Sequence, residues 1–226
     1  MREATLLTLA ARSPTYAVEF LTKLINAFCK DCNGAGRMFI QTEPTPNPAT
    51  MKFLPGEAVL VDDTANFTDA KAARRSPLAE RLFLIDGVSG VFLGSDFVTI
   101  TKTEVAEWQL LKPSILGVIM EHYVVGAPML LDAAEGVAEG AGESSDFSEA
   151  DAEIVDQIKE LLDTRVRPAV AQDGGDIIFH GFQNGVVMLE MHGACAGCPS
   201  STATLKGGIE NMLRHYVPEV MEVRAV

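Results

Sequence analysis

Cys195 and Cys198 stand two residues apart in the run Gly193-Ala194-Cys195-Ala196-Gly197-Cys198-Pro199-Ser200-Ser201, among almost nothing but small side chains. A thiolate pair at this spacing is half of a soft-metal site. A tetrahedral Zn²⁺ site takes four ligands, and iron–sulfur clusters are usually held by four Cys thiolates. The missing donors must come from elsewhere in the chain or from a second copy of it. The second is the expectation: a homodimer in which two Cys-x-x-Cys loops share one iron–sulfur cluster.

Three features suit the loop to that task. It runs from a strand end to a helix start, where open N–H groups and the helix dipole are expected to lower the thiol pKa. Gly193, Ala194, Ala196 and Gly197 leave room for a bulky inorganic core. No basic side chain lies between His192 and Ser201 to obstruct a twin loop. Two other chemistries share the motif. A dithiol–disulfide oxidoreductase of the thioredoxin kind uses the same spacing at a helix start, although here a β-hairpin precedes the motif. A Zn²⁺ site could join Cys195 and Cys198 to Cys29 and Cys32, or bridge two chains.

The remaining candidates have plainer readings. Cys29 and Cys32 lie in Phe28-Cys29-Lys30-Asp31-Cys32-Asn33, inside an N-terminal extension on which no function is built. His192 could ligate, but alternation along 186–192 equally makes it an ordinary strand-end residue. His122, His180 and His215 sit in regular elements as core or surface residues. Asp173-Gly174-Gly175-Asp176 reads as a turn, with too few oxygens for a Ca²⁺ loop.

The elements that position the loop follow from periodicity and turn residues. Residues 38–125 are expected to form a first α/β domain. Phe39–Thr42 and Met51–Leu54 read as strands around Pro44, Pro46 and Pro48, which preclude helix. Ala58–Val61 reads as another short strand. Ser76 caps a helix opened by Pro77 and stopped by Gly87. Val88–Leu93 and Phe97–Thr101 flank Gly94-Ser95-Asp96 as a hairpin. Leu111, Ile115, Val118, Ile119 and His122 repeat at helical spacing. No catalytic constellation is evident in this domain.

Residues 126–148, rich in Ala, Gly, Glu and Ser, read as a flexible acidic linker. The second domain, 149–226, opens on a helix with Ile154, Val155, Ile158, Leu161 and Leu162 on one stripe. Pro168 should interrupt or kink the chain beyond that stripe. Strands over 177–182 and 186–191 are joined at Asn184-Gly185, the strongest short hairpin signal. A helix from about Pro199 carries Leu205, Ile209, Met212, Leu213 and Tyr216 on one face, and residues 220–226 add a last strand. The order α-β-β-α-β implies a small mixed sheet backed by two helices, so the whole chain is α/β (α+β) in two small domains.

Composition narrows the partners. At 226 residues and 47% hydrophobic the chain can bury a real core, and 18 basic against 31 acidic residues argue against nucleic acid. Between Asp132 and Asp163 eleven acidic residues face one lysine, carrying −10 of the net −13, as a solvated linker and helix face. Four cysteines are too sparse for a disulfide scaffold and fit metal or redox work in a reducing compartment. No apolar run approaches the roughly 20 residues that span a bilayer. Residues 1–37 hold one apolar-periodic stretch (Tyr16, Phe20, Leu21, Leu24, Ile25, Phe28), but Glu3 and Glu19 sit badly with a mitochondrial presequence. A start assigned upstream of Met38 would explain the segment.

At these residues the chain resembles the Nfu-type iron–sulfur scaffold and carrier proteins, with their NifU-like C-terminal domain. The resemblance rests on Val166-Arg167-Pro168, Gln172-Asp173-Gly174-Gly175-Asp176, the Cys195/Cys198 run, Thr204-Leu205-Lys206 and Gly208-Ile209-Glu210 through Leu213. The first domain resembles the family's N-terminal domain through Phe39-Ile40-Gln41-Thr42-Glu43-Pro44-Thr45-Pro46-Asn47-Pro48 and Lys52-Phe53-Leu54-Pro55-Gly56. The resemblance implies a scaffold or carrier rather than an enzyme. It implies a [4Fe–4S] cluster bridged between two subunits by Cys195 and Cys198, taken from upstream donors and delivered to apo-proteins. The expected setting is a bacterial cytoplasm, with the mitochondrial matrix as the alternative.

Overall fold

The computed structural model describes residues 39–61, 63–131, 152–197 and 199–226, with only the backbone for 199–202. The extension with Cys29 and Cys32, the linker over 132–148, and Cys198 lie outside the described residues.

The N-terminal half is an antiparallel sheet of five strands in the order β1-β2-β5-β4-β3. These are β1 (Gln41–Pro44), β2 (Thr50–Leu54), β3 (Ala65–Phe67), β4 (Val88–Leu93) and β5 (Val98–Lys102). Two helices cover one face, α1 (Pro77–Phe83) and α2 (Trp108–Val125). Ser76 begins α1 as its sequence implies, its hydroxyl accepting the Ala79 N–H at 3.2 Å. Ala58–Val61, expected to be a strand, instead forms a bent connection. Val59 and Leu60 donate to the Ser95 and Gly94 carbonyls at the turn end of the β4–β5 hairpin, and the Ala58 carbonyl accepts the Tyr123 hydroxyl at 3.3 Å. Val59 is drawn into the core there while Val61 stays exposed, so no alternation develops.

The C-terminal half has the expected order. Helix α3 (Ala152–Leu161) is followed by a π-turn (Leu162–Val166) and α4 (Arg167–Gln172); β6 (Gly175–Gln183), β7 (Val186–Gly193), α5 (Pro199–Tyr216) and β8 (Glu222–Ala225) complete it. Pro168 does not break this run: it sits in the first turn of α4, and the wider π-turn just before it carries the helix on. The β6–β7 hairpin closes on Asn184 and Gly185 at φ 51° and 79°, the left-handed pair that a two-residue turn needs. β8 joins β7 in parallel, making the sheet mixed.

Each half has its own apolar core. Phe53, Leu78, Leu82, Leu93, Ile100, Ile115 and Ile119 fill the first, and Ile158, Ile177, Leu189, Ile209, Leu213 and Val223 the second. Residues 39–226 nevertheless pack as a single unit, and the reason lies in β2, β5 and β4. Met51, Phe53, Val98, Ile100, Val91 and Leu93 point to the helices. On the other face, Lys52 pairs in register with Thr99, and Thr99 with Phe92. An antiparallel sheet normally leaves such a face to solvent. Here Lys52, Thr99 and Phe92 are all buried, because the C-terminal half lies on them.

Candidate functional site

β7 delivers the chain to the thiol loop. Its last residue, Gly193, pairs with Gly175 at the start of β6, so the loop folds back over the Gly174–Gly175 turn. The Ala194 N–H donates to the Gly174 carbonyl at 3.1 Å, Cys195 N–H to His192 at 3.3 Å, and Ala196 N–H to Gly193 at 3.2 Å. These donors are engaged within the loop rather than open toward a sulfur.

Cys195 is 6% exposed and belongs to the second core with Ile177, Met191 and Ile209. Burial first, then the nearby Asp173 and Asp176 carboxylates, push its thiol up to about 12. The helix-start setting was expected to lower it. In this conformation burial and two negative neighbours outweigh that influence, and the thiol holds its proton. Two glycines shape the surroundings. Gly174 takes φ +81°, and a Cβ there would come 2.8 Å from the Thr99 hydroxyl. A Cβ on Gly175 would collide with Cys195 Sγ and come 2.8 Å from the His192 carbonyl.

The first half closes over this loop with polar groups that sequence reading did not single out. Asn47 Nδ2 donates to the Ala196 carbonyl at 3.1 Å. Lys52 Nζ donates to the Ala171 and Gln172 carbonyls at 3.1 and 3.2 Å, at the C-terminal end of α4 where a cation is favoured, and lies 4.6 Å over the Phe97 ring. Thr99 Oγ1 donates to the Gly174 carbonyl at 2.7 Å. Thr64 Oγ1 donates to Asp176 Oδ2 at 2.9 Å. Phe92 sets its ring edge-on to His192, 6.3 Å between centroids. Lys52, Thr99 and Phe92 sit on the outward-pointing row of the sheet, which ordinarily means solvent, while Asn47 and Thr64 lie just outside its strands. Side chains of the first half thus stand against the Gly174 and Ala196 flanks of the loop.

Asp176, read as a turn residue, is a buried anchor at the start of β6. Arg167 grips it with two bonds of 2.9 Å, and the Ile177 N–H adds one of 2.8 Å. Burial raises its pKa, but Arg167, the Ile177 N–H and Thr64 together more than offset this and hold it below the usual carboxylate value. His192 and His180 both turn to Glu190, at 2.9 and 2.6 Å. His122 is buried on α2, and His215 packs edge-on against Tyr216. Among the described residues, which exclude Cys198, no group of three or more His, Cys, Asp or Glu forms a metal site. Nor is any described helix long and apolar enough to cross a membrane.

The C-terminal half presents Cys195 on the loop between β7 and α5, and the N-terminal sheet half packs against the flanks of that loop. Two family models match: the scaffold protein Nfu/NifU N-terminal domain over residues 40–126 and the NifU-like domain over 158–224. The chain belongs to this Nfu/NifU scaffold family. It is 52% identical over 195 residues to the NFU1 iron-sulfur cluster scaffold homolog, mitochondrial, of Drosophila erecta, covering 85% of this chain and 67% of that one. It is 51% identical over 188 residues to NifU-like protein 4, mitochondrial, of Arabidopsis thaliana, covering 82% and 65%. A solution structure of a NifU-like protein from Saccharomyces cerevisiae aligns at 29% identity over 44% of this chain and 90% of that chain, with TM-score 0.39. The chain spans about two thirds of the length of these curated relatives. Their names are mitochondrial, so the bacterial cytoplasm expected first finds no support among them.

Proposed function

We propose that this protein is an iron–sulfur scaffold or carrier, not an enzyme, and that its cargo is a [4Fe–4S] cluster held between two chains by Cys195 and Cys198 of each. The observation that carries this is the placement of the Cys-x-x-Cys loop inside the stretch matched by the NifU-like model, on the connection from β7 to α5. The donor chemistry fits: two soft sulfurs per chain suit an iron–sulfur core, and the bare Cα of Gly175 beside Cys195 Sγ leaves space that any side chain would fill. Two chains supply the four thiolates. Cargo held between subunits is reachable by the thiolates of an apo-protein, and its release separates the pair. The names of the relatives favour the mitochondrial matrix as the compartment.

In this conformation the buried Cys195 thiol is pushed up, which suits neither a redox nucleophile nor a metal ligand, since both act as thiolates. Anaerobic reconstitution with iron and sulfide, followed by native mass measurement, tests the proposal. The expected product is two chains with four irons and four sulfides. Cys195→Ser or Cys198→Ser loses it, whereas Cys29→Ser with Cys32→Ser keeps it. A variant lacking both Cys195 and Cys198 that still held stoichiometric iron and sulfide would refute the assignment.

A further inference from the structure

We propose that the outer face of the N-terminal sheet is a closable cap on the cysteine loop, and that cargo loading and cap closure exclude one another. Cargo loading rests on the function proposed above; the cap itself does not.

Polar residues on the β2–β5 face have no core to fill, yet Lys52 and Thr99 are buried. Three side chains of the first half, Asn47, Lys52 and Thr99, each donate to main-chain carbonyls bracketing Cys195: Ala171, Gln172, Gly174 and Ala196. Phe92 completes the row against His192. Phe92, Lys52 and Thr99 belong to neither half's apolar core. The seam sets these polar bonds beside the buried rings of Phe92 and Phe97, and parting it leaves the residues of each core in place.

Cys195 itself lies in the second core, 6% exposed, and closure pins the Gly174 and Ala196 carbonyls on either side of it, so the loop cannot turn the thiol outward while those bonds hold. A cysteine that must meet partner sulfurs has to be released from that hold. By linkage, whatever favours the open form favours loading, and loading holds the cap open.

The test reads the metal-free full chain, so its failure is separate from failure of the cluster assignment. Iodoacetamide labelling of Cys195, followed by peptide mass spectrometry and normalised to Cys29, is compared for wild type, Lys52→Met, Thr99→Val and Asn47→Asp. Asn47→Asp keeps the oxygen that accepts the Ala49 N–H at 3.0 Å and replaces the donor to Ala196 with a carboxylate oxygen that repels that carbonyl. Each variant should label Cys195 at least about tenfold faster, the factor set by one lost buried hydrogen bond, and Lys52→Met loses two. Hydrogen exchange at Val187 and Leu189, deep in the second core, should not change. In wild type, sub-denaturing urea should raise Cys195 labelling and Lys52 acylation in step, ahead of exchange at those amides. Unchanged labelling in all three variants would overturn the cap. So would acceleration matched by core exchange, or Cys195 and Lys52 responding to urea separately.

Discussion

Replacing Arg167 with methionine isolates the buried charge at the start of β6. Asp176 is 4% exposed and carries four bonds: two from the Arg167 guanidinium, one from the Ile177 N–H and one from the Thr64 hydroxyl. Methionine keeps the aliphatic stem and leaves the carboxylate with two neutral donors. Removing one partner of a fully buried pair costs about 3–5 kcal/mol. Arg167 is 42% exposed, so water reaches its side of the pair and the expected loss is about 2 kcal/mol at pH 7. The sign with pH is set by the carboxyl. Its folded pKa is depressed, so the pair stabilises above the unfolded value near 3.9 and the contribution fades as pH falls through the folded one. In the variant burial acts against fewer favourable partners, and the carboxyl protonates at higher pH. Urea unfolding by circular dichroism at pH 7 and pH 4 should show a gap that narrows toward acid. A gap below about 0.5 kcal/mol at pH 7, or one equal at both pH values, would show that the pair does not anchor β6.

Other outcomes are as specific. Gly175→Ala places a methyl against Cys195 Sγ and the His192 carbonyl, and should cost about 1–3 kcal/mol in urea unfolding and reduce retained iron after reconstitution. Ser76→Ala removes the buried cap of α1 and should cost about 1 kcal/mol, read from thermal melting. His122 is buried with neither ring nitrogen hydrogen-bonded, and burial first, then Arg81, lowers its pKa. Its neutral form is the one folded, so stability should fall as pH drops below about 6.5; His122→Leu should flatten melting temperatures between pH 5.5 and 7.5.

Local signals were legible where local physics decides. Ser76-Pro77 opens a helix by filling and omitting the right backbone donors, and Asn184-Gly185 turns a hairpin by tolerating left-handed φ; both act whatever surrounds them. Ala58–Val61 has strand-like composition, but its bonds go to the end of another hairpin, and pairing geometry is not written in four residues. Lys52 and Thr99 alternate with core residues as any solvent-facing pair would. Sequence pattern separates the two faces of a sheet without revealing that the second face is also covered. The same gap reversed the pKa expectation for Cys195, whose neighbours in sequence are small while its neighbours in space are a core and two carboxylates. The spacing of the thiols was visible throughout; what hides one of them was not.

Asn47, Lys52 and Thr99 all grasp peptide oxygens, which every amino acid offers alike. The cover is consequently indifferent to the lettering of the segment it holds. Residues 171, 172 and 196 can drift among descendants of this chain, retuning the cargo's surroundings, without renegotiating the latch; the freedom is one-sided, since the three donors have no such latitude.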